Sequence, residues 1–292
     1  MNVKLHKALE KLLEQVGETP SQAQTVIPST WKEFNELIGL PIHPATNLPT
    51  PMTPYQIAQG EYKGHRTITN KTNKGGITEN YNRINIKRGT IGDCAGYQIL
   101  YGSSKEKLAN ENINRTGQVF KDSPSLEPYL AEEPTDSYIR LTNGTEFIAL
   151  PRKVSSFRSW PRVKSIFLDE AAHYELIDDK SFFAAALGRL ANTNGYMDIV
   201  STPHGQRGYF YQTFIDAEAG KNRFKPWRIH YTEAVAAGLI SQEFIDEAKL
   251  SMSPQMFAQE FECAFIPSSE FSAIEAGVLD RMFIAGDEVE SW

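Results

Sequence analysis

Cysteine is nearly absent: Cys94 and Cys263 are the only two in 292 residues. Neither belongs to a Cys-x-x-Cys pair. A disulfide framework and a thiolate metal cluster are therefore excluded, and two buried or idle thiols in a reducing compartment are expected. No run of about 18 apolar residues occurs, so no membrane-spanning helix is predicted. The stretch from Met1 to Val16 is charged and amphipathic and lacks the apolar middle of a secretion signal. A cytoplasmic location is the expectation. Basic excess is missing too: Lys and Arg number 30 against 36 Asp and Glu, a formal net charge of −6. A protein that coats nucleic acid over its whole surface needs a basic footprint, and that class is excluded. A protein that grips DNA through a small patch and releases it in each cycle is not. Internal repeats and low-complexity segments are also lacking.

What is present is an ordinary globular balance, 40% apolar and 23% charged, enough for one large domain with appendages. Residues 1–50 read as a helical leader and a proline-rich linker. Leu5, Leu9, Leu12 and Leu13 recur at helical spacing and predict a helix over Val3–Val16. Thr30 caps a second short helix reaching Ile38. Pro41, Pro44, Pro49, Pro51 and Pro54 then crowd a linker that cannot be helical. Residues 51–266 form the main domain, where strands and helices alternate. Strands are predicted over Tyr62–Asn70, Tyr97–Tyr101, Ser165–Leu168, Tyr196–Val200 and Arg228–Tyr231. Helices are predicted over Thr78–Arg88, Lys105–Asn114, Ser181–Leu190, Tyr209–Ala219, Ser241–Leu250 and Pro254–Phe261. Asn143-Gly144, between Tyr138–Leu141 and Glu146–Leu150, signals a hairpin. Such alternation implies an α/β fold with a mostly parallel sheet flanked by helices on both faces. Residues 267–292 read as a linker or tail.

Asn70-Lys71-Thr72-Asn73-Lys74-Gly75-Gly76-Ile77-Thr78 follows a predicted strand and opens a predicted helix, the context a phosphate loop requires. Gly75 and Gly76 permit positive φ and close approach of the backbone. The successive N–H groups and the helix N-terminus offer a cavity for phosphate oxygens, and Thr78 stands where a hydroxyl could hold Mg²⁺. The match to GxxxxGK[ST] is imperfect: Ile77 takes the usual lysine position and Lys71 the first glycine. Lys71, on its long stem, could fold back onto the phosphates, and Lys74 competes for that role.

Ser165-Ile166-Phe167-Leu168-Asp169-Glu170-Ala171-Ala172-His173 delivers two adjacent carboxylates to the C-terminal end of a buried strand, the edge where open α/β sheets bind ligands. Asp169 would hold Mg²⁺, and Glu170 would orient or deprotonate the attacking water. His173 reads as a loop residue. Asp198-Ile199-Val200-Ser201-Thr202-Pro203 is a second apolar strand, ending in hydroxyls that could report hydrolysis to the sheet. Before the acidic strand, Arg158 lies on a loop where it could reach a neighbouring subunit's site, with Arg152 and Arg162 as rivals. Lys87, Arg88, Lys105 and Lys107 read as scattered surface charge.

The succession Pro54-Tyr55-Gln56, Lys71–Thr78, Asn143-Gly144-Thr145, Ser156–Arg158, Ile166–Ala172 and Ser201-Thr202-Pro203, closed by Phe257-Ala258-Gln259-Glu260-Phe261-Glu262-Cys263-Ala264-Phe265, resembles the ATPase half of tailed-virus large terminases. The resemblance covers residues 52–266. It implies a RecA-like P-loop ATPase core that drives double-stranded DNA into a procapsid, working as a homo-oligomeric ring on the portal protein with a small terminase subunit, in the host cytoplasm. Its cofactor would be Mg²⁺ and its substrate ATP. By the same resemblance Tyr55 and Gln56 match an adenine-recognition motif, and the nucleotide loop comprises Lys71, Thr72, Asn73, Lys74, Gly75, Gly76, Ile77 and Thr78. Asp169 and Glu170 match the Walker B acid and catalytic glutamate, Ser201-Thr202-Pro203 matches the coupling motif, and Arg158 falls where a trans-acting arginine is common. Many relatives carry arginine where Asn73 stands. The family also normally continues into a nuclease domain, so no DNA cleavage is expected from this chain, the nuclease being truncated or a separate chain. Two alternatives stay open: a helicase-type ATPase, which normally needs a second lobe, and a catalytically weak nucleotide-binding relative.

Overall fold

Adjacent residues on a strand point to opposite faces, and here both faces are apolar. The structure is a computed structural model and describes residues 28, 30–43, 46–151, 160–174 and 179–267. Its elements in chain order are α1 (Trp31–Leu37), α2 (Pro54–Glu61), β1 (Arg66–Lys71), α3 (Ile77–Thr90), β2 (Gln98–Ser103), α4 (Glu106–Asp122), β3 (Tyr138–Arg140), β4 (Glu146–Ala149), β5 (Val163–Asp169), α5 (Asp179–Arg189), β6 (Tyr196–Ser201), α6 (Gly208–Glu218), β7 (Lys225–Ile229), α7 (Tyr231–Ala236), α8 (Gln242–Ser251) and α9 (Pro254–Phe261). One sheet runs in the order β3-β4-β2-β5-β6-β1-β7. Every neighbouring pair is parallel except β3 with β4.

Ile99, Tyr101 and Phe167 face the layer of α1 to α4, where Trp31, Phe34, Tyr81, Ile113 and Phe120 are buried. Their immediate neighbours Leu100, Ile166 and Leu168 face the other layer, built on Phe182, Phe183, Phe210 and Phe214 of α5 and α6. Each such side chain contributes about 1.5–3 kcal/mol by leaving water. A satellite core of Ala234, Ile245, Ala248, Phe257 and Phe261 joins α7, α8 and α9. No helix among the described residues is long and apolar enough to cross a membrane. Both cysteines are free and buried.

Several expectations are corrected. Pro54 does not belong to a non-helical linker. It occupies the first position of α2, where a missing N–H costs nothing, and Thr53 with Gln56 forms a reciprocal capping box before it. β1 begins only at Arg66, and α4 runs eight residues beyond Asn114. The late strand ends at Ile229, and Tyr231 opens α7 instead. Asn143 and Thr145 serve the fold: both donate to the Gly89 carbonyl, at 2.9 Å each, and so hold the end of α3. The expected helix over residues 3–16 and the tail beyond residue 267 lie outside the described residues.

Arg88 is not surface charge. Its guanidinium pairs with Asp198, whose side chain is fully buried, and stacks 3.9 Å from the Tyr196 ring centroid. Thr67 Oγ1 donates to the other Asp198 oxygen at 2.6 Å. Removing one partner of a buried pair strands the other charge. Arg88→Met is therefore expected to lower the unfolding free energy by about 3–5 kcal/mol, read from urea denaturation, while Lys105→Met, at an exposed position, leaves it nearly unchanged.

Candidate functional site

Three parallel strand ends converge on one edge: β1 at Lys71, β5 at Asp169 and β6 at Ser201. β6 lies between the other two, so a loop leaving β1 and a carboxylate leaving β5 face each other across one strand.

The loop after β1 turns at Lys74 (φ 59°) and Gly76 (φ 71°). Gly76 caps α3 in the left-handed conformation, and a Cβ there would come within 2.8 Å of Gln56 Nε2. The positive φ is what favours glycine here; the Gln56 amide, at the end of a flexible side chain, could shift. α2 braces the loop from behind: Tyr55 Oη donates to the Gly75 carbonyl at 2.8 Å, and Gln56 Nε2 to the Gly76 carbonyl at 3.0 Å. Burial pushes the Tyr55 phenol up to about 12. The Ile77 side chain is buried in the core, so only its backbone could face a phosphate. The two candidate lysines separate cleanly. Lys74 is exposed at the turn, whereas the Lys71 side chain is 8% exposed and its Nζ lies 3.0 Å from Glu170 Oε1.

Across the cleft, Thr78 Oγ1 donates to Asp169 Oδ1 at 3.1 Å, and Asn112 Nδ2 of α4 donates to Asp169 Oδ2 at 3.2 Å. Asp169 is held above the usual carboxylate range by burial and by the charge of Glu170, against Lys71, Asn112 and Thr78. Burial opposes the charge on Lys71, but Glu170, Asp169 and Glu260 outweigh it and raise its pKa. Glu170 itself sits in left-handed backbone, φ 50° and ψ 42°, a strained conformation for a non-glycine residue of the kind found at functional sites. The short helix it caps is tied to β6: Ser201 Oγ accepts from the Ala172 N–H at 3.1 Å, and His173 Nε2 lies 3.0 Å from Thr202 Oγ1. His173 is 4.0 Å from Glu170 Oε2, and burial lowers its pKa, keeping it neutral.

Two contributions escaped the sequence reading. Asn112 is one; its only signal is a pair with Thr116 of buried polar residues, one turn apart, among Ala109, Ile113 and Phe120. The other is α9. The Glu260 carbonyl accepts from the Asn73 N–H at 2.8 Å, Gln259 Oε1 accepts from the Gly205 N–H at 3.1 Å, and Asn70 Nδ2 donates to the Cys263 carbonyl at 2.9 Å. Arg152 and Arg158 lie outside the described residues. Arg162 is described; it donates to the Gly96 carbonyl and is near Glu146, away from the cleft.

No known protein-family profile and no curated protein sequence matches the chain. Solved structures do. The large terminase ATPase domain of Thermus phage P74-26 superposes with a TM-score of 0.61 at 17% identity, over 80% of this chain and 98% of that one. The large terminase of another thermophilic bacteriophage, in complex with ADP, gives 0.59 at 13% identity over 74% of this chain. That of bacteriophage HK97 gives 0.60 at 16% over 78%. This chain spans about half, 54%, of those last two proteins. The shared architecture is RecA-like, a mostly parallel sheet flanked by helices.

Gly76→Ala is expected to lower the unfolding free energy by about 1–2 kcal/mol, the cost of a Cβ in left-handed backbone, measured by urea denaturation. Asp169, with its folded pKa raised, stabilises the fold most below the ordinary carboxylate range and loses that contribution as pH rises through the raised value. Asp169→Asn should therefore melt higher than wild type at neutral pH without nucleotide or metal, with the gap closing in acid; equal melting at both pH values would contradict the burial argument.

Proposed function

We propose that this chain is the ATP-hydrolysing motor part of a viral DNA-packaging enzyme. One observation carries the reading: the hydroxyl of Thr78, at the start of α3, meets the buried carboxylate of Asp169, at the end of β5, beside the Lys71–Glu170 pair. Likeness of fold to terminase ATPase domains supports it.

In this reading Lys71 is the phosphate lysine. Lys71 Nζ lies 3.0 Å from Glu170 Oε1; engagement of Lys71 by a γ-phosphate would leave Glu170 to accept a proton from the attacking water at Oε1. The oxygen–phosphorus bond to water forms as the β–γ bridging bond breaks, and ADP and phosphate leave. The backbone of Thr72 to Thr78 cradles phosphate oxygens, with Gly75 and Gly76 admitting them closely. Tyr55 and Gln56 lie behind that cradle and recognise the adenine end, Gln56 exchanging a loop carbonyl for the base. Ser201 and Thr202, bonded to the segment after Glu170, pass its displacement to β6.

The site fits Mg²⁺. Asp169 and Thr78 offer the hard oxygens that this ion prefers, and one or two protein oxygens suffice where phosphates supply others. The excess of Asp169, Glu170 and Glu260 over Lys71 leaves net negative charge that a divalent cation offsets. When bound, the ion screens phosphate charge and polarises the oxygens it touches.

Arg158 is assigned to the neighbouring subunit's site in a homo-oligomeric ring. The ring would act on double-stranded DNA with the portal protein and small terminase subunit in the host cytoplasm. No specific feature of the site favours the helicase-type or the catalytically weak alternative.

Mg-ATP turnover tests the proposal. Glu170→Gln should lose about 10²–10⁴-fold in kcat while still binding ADP, and Lys71→Ala should weaken nucleotide binding as well. Wild-type turnover should rise more than linearly with protein concentration as rings form, and Arg158→Ala should abolish that rise. A wild-type chain that binds no nucleotide with Mg²⁺ present would sink the reading.

A further inference from the structure

The acidic ATP edge has a counterpart at the other end of the same strands. Residues 219–229 carry four basic side chains, Lys221, Arg223, Lys225 and Arg228, and no acidic one, in a chain of net charge −6. Exposure alternates along this stretch: Lys221, Arg223 and Lys225 are exposed, while Asn222, Phe224 and Pro226 are half-buried. The three cations therefore stand out together. Arg228 is occupied by Glu218 at 2.9 Å, but none of the other three has an ion-pair partner among the described residues. Lys225 instead rests its ammonium 5.3 Å from the centroid of the Trp227 ring. Beside them opens a groove of about 540 Å³ walled by Arg66, Tyr209, Asn222, Arg223 and Phe224. Asp216 in the same wall is engaged by Gln212 Nε2 at 3.1 Å. On the outer flank, Trp227 meets Tyr62 edge-on at 6.2 Å.

Lysine and proline on an edge strand commonly block strand addition, and that explains Lys225 and Pro226. It does not explain Lys221 and Arg223, which precede β7. Guanidinium and ammonium groups without carboxylate partners, grouped on an otherwise acidic protein next to half-buried aromatic rings, are the chemistry of phosphate-backbone contact.

We infer that this surface, the N-terminal end of β7 and the turn before it, is where the chain grips the backbone of double-stranded DNA. The inference rests on the packaging-motor reading for its partner. It also supplies a route between the two activities. Lys225 is paired with Thr67 and Ile229 with Lys71, so the surface and the phosphate loop lie at opposite ends of one strand pair, about 13 Å apart along the strand.

The test uses the full chain and a short mixed-sequence DNA duplex at a series of salt concentrations. The variant Lys221→Ala/Arg223→Ala/Lys225→Ala should bind about tenfold more weakly or worse. Its slope of log affinity against log salt should be shallower by about 0.9 for each phosphate it no longer neutralises. DNA-free Mg-ATP turnover should stay at the wild-type value. Lys105→Ala/Lys107→Ala/Arg115→Ala, an equal loss of charge elsewhere, should keep both affinity and slope. Two results would overturn the inference: the two triple variants binding alike, or wild type binding phosphatidylserine vesicles but no duplex. Absence of turnover in wild type with the DNA loss intact would remove the motor reading and leave the surface standing.

Discussion

Lys71 and Glu170 are 99 residues apart in sequence and 3.0 Å apart in space, and nearly everything at the sheet edge exists to keep them so. Lys71 is the last residue of β1 and Glu170 the first beyond β5, with β6 between. The parallel registers β1–β6 and β5–β6 fix how far each strand extends. A slip of one residue in either would turn one side chain to the other face of the sheet. The two aromatic layers therefore determine the chemistry as well as the stability, because they admit a single register.

Around that pair the charges are unbalanced. Asp169, Glu170 and Glu260 surround one ammonium, and burial makes the imbalance costly: Asp169 and Glu260 are both pushed toward their neutral forms. An edge left in this condition favours a partner that brings positive charge to the carboxylates and negative charge to the lysine. A metal–polyphosphate complex, the ligand class of the proposed function, would supply both.

The fold was largely legible in the sequence because both sheet faces are buried and each strand reads as a short apolar run between turn residues. Ser165–Leu168 and Tyr196–Val200 needed only a residue or two at their ends. What failed was local chemistry overridden by position. Pro54 looks like a helix breaker until Thr53 is seen to cap it. Arg88 looks like surface charge because its partner, Asp198, lies 110 residues away. At the site, the loop glycines, Thr78 and the twin acids could be read from spacing. That Lys71 is buried against Glu170 while Lys74 is exposed could not be read, since it depends on which side chain the turn directs inward. Asn112 was invisible because a lone asparagine on a helix carries no motif.

The bond from Asn70 to the Cys263 carbonyl spans 193 positions, and the Asn73 N–H is held by Glu260 of α9. The turn that would cradle a triphosphate is thus completed by some of the last described residues of the chain. On a ribosome, which makes the N-terminal end first, α9 emerges long after the loop it steadies, and contacts of such sequence separation form late. A nascent chain halted before α9 would lack the contacts that steady the loop after β1, so the nucleotide capture proposed above would begin only once synthesis had passed this helix.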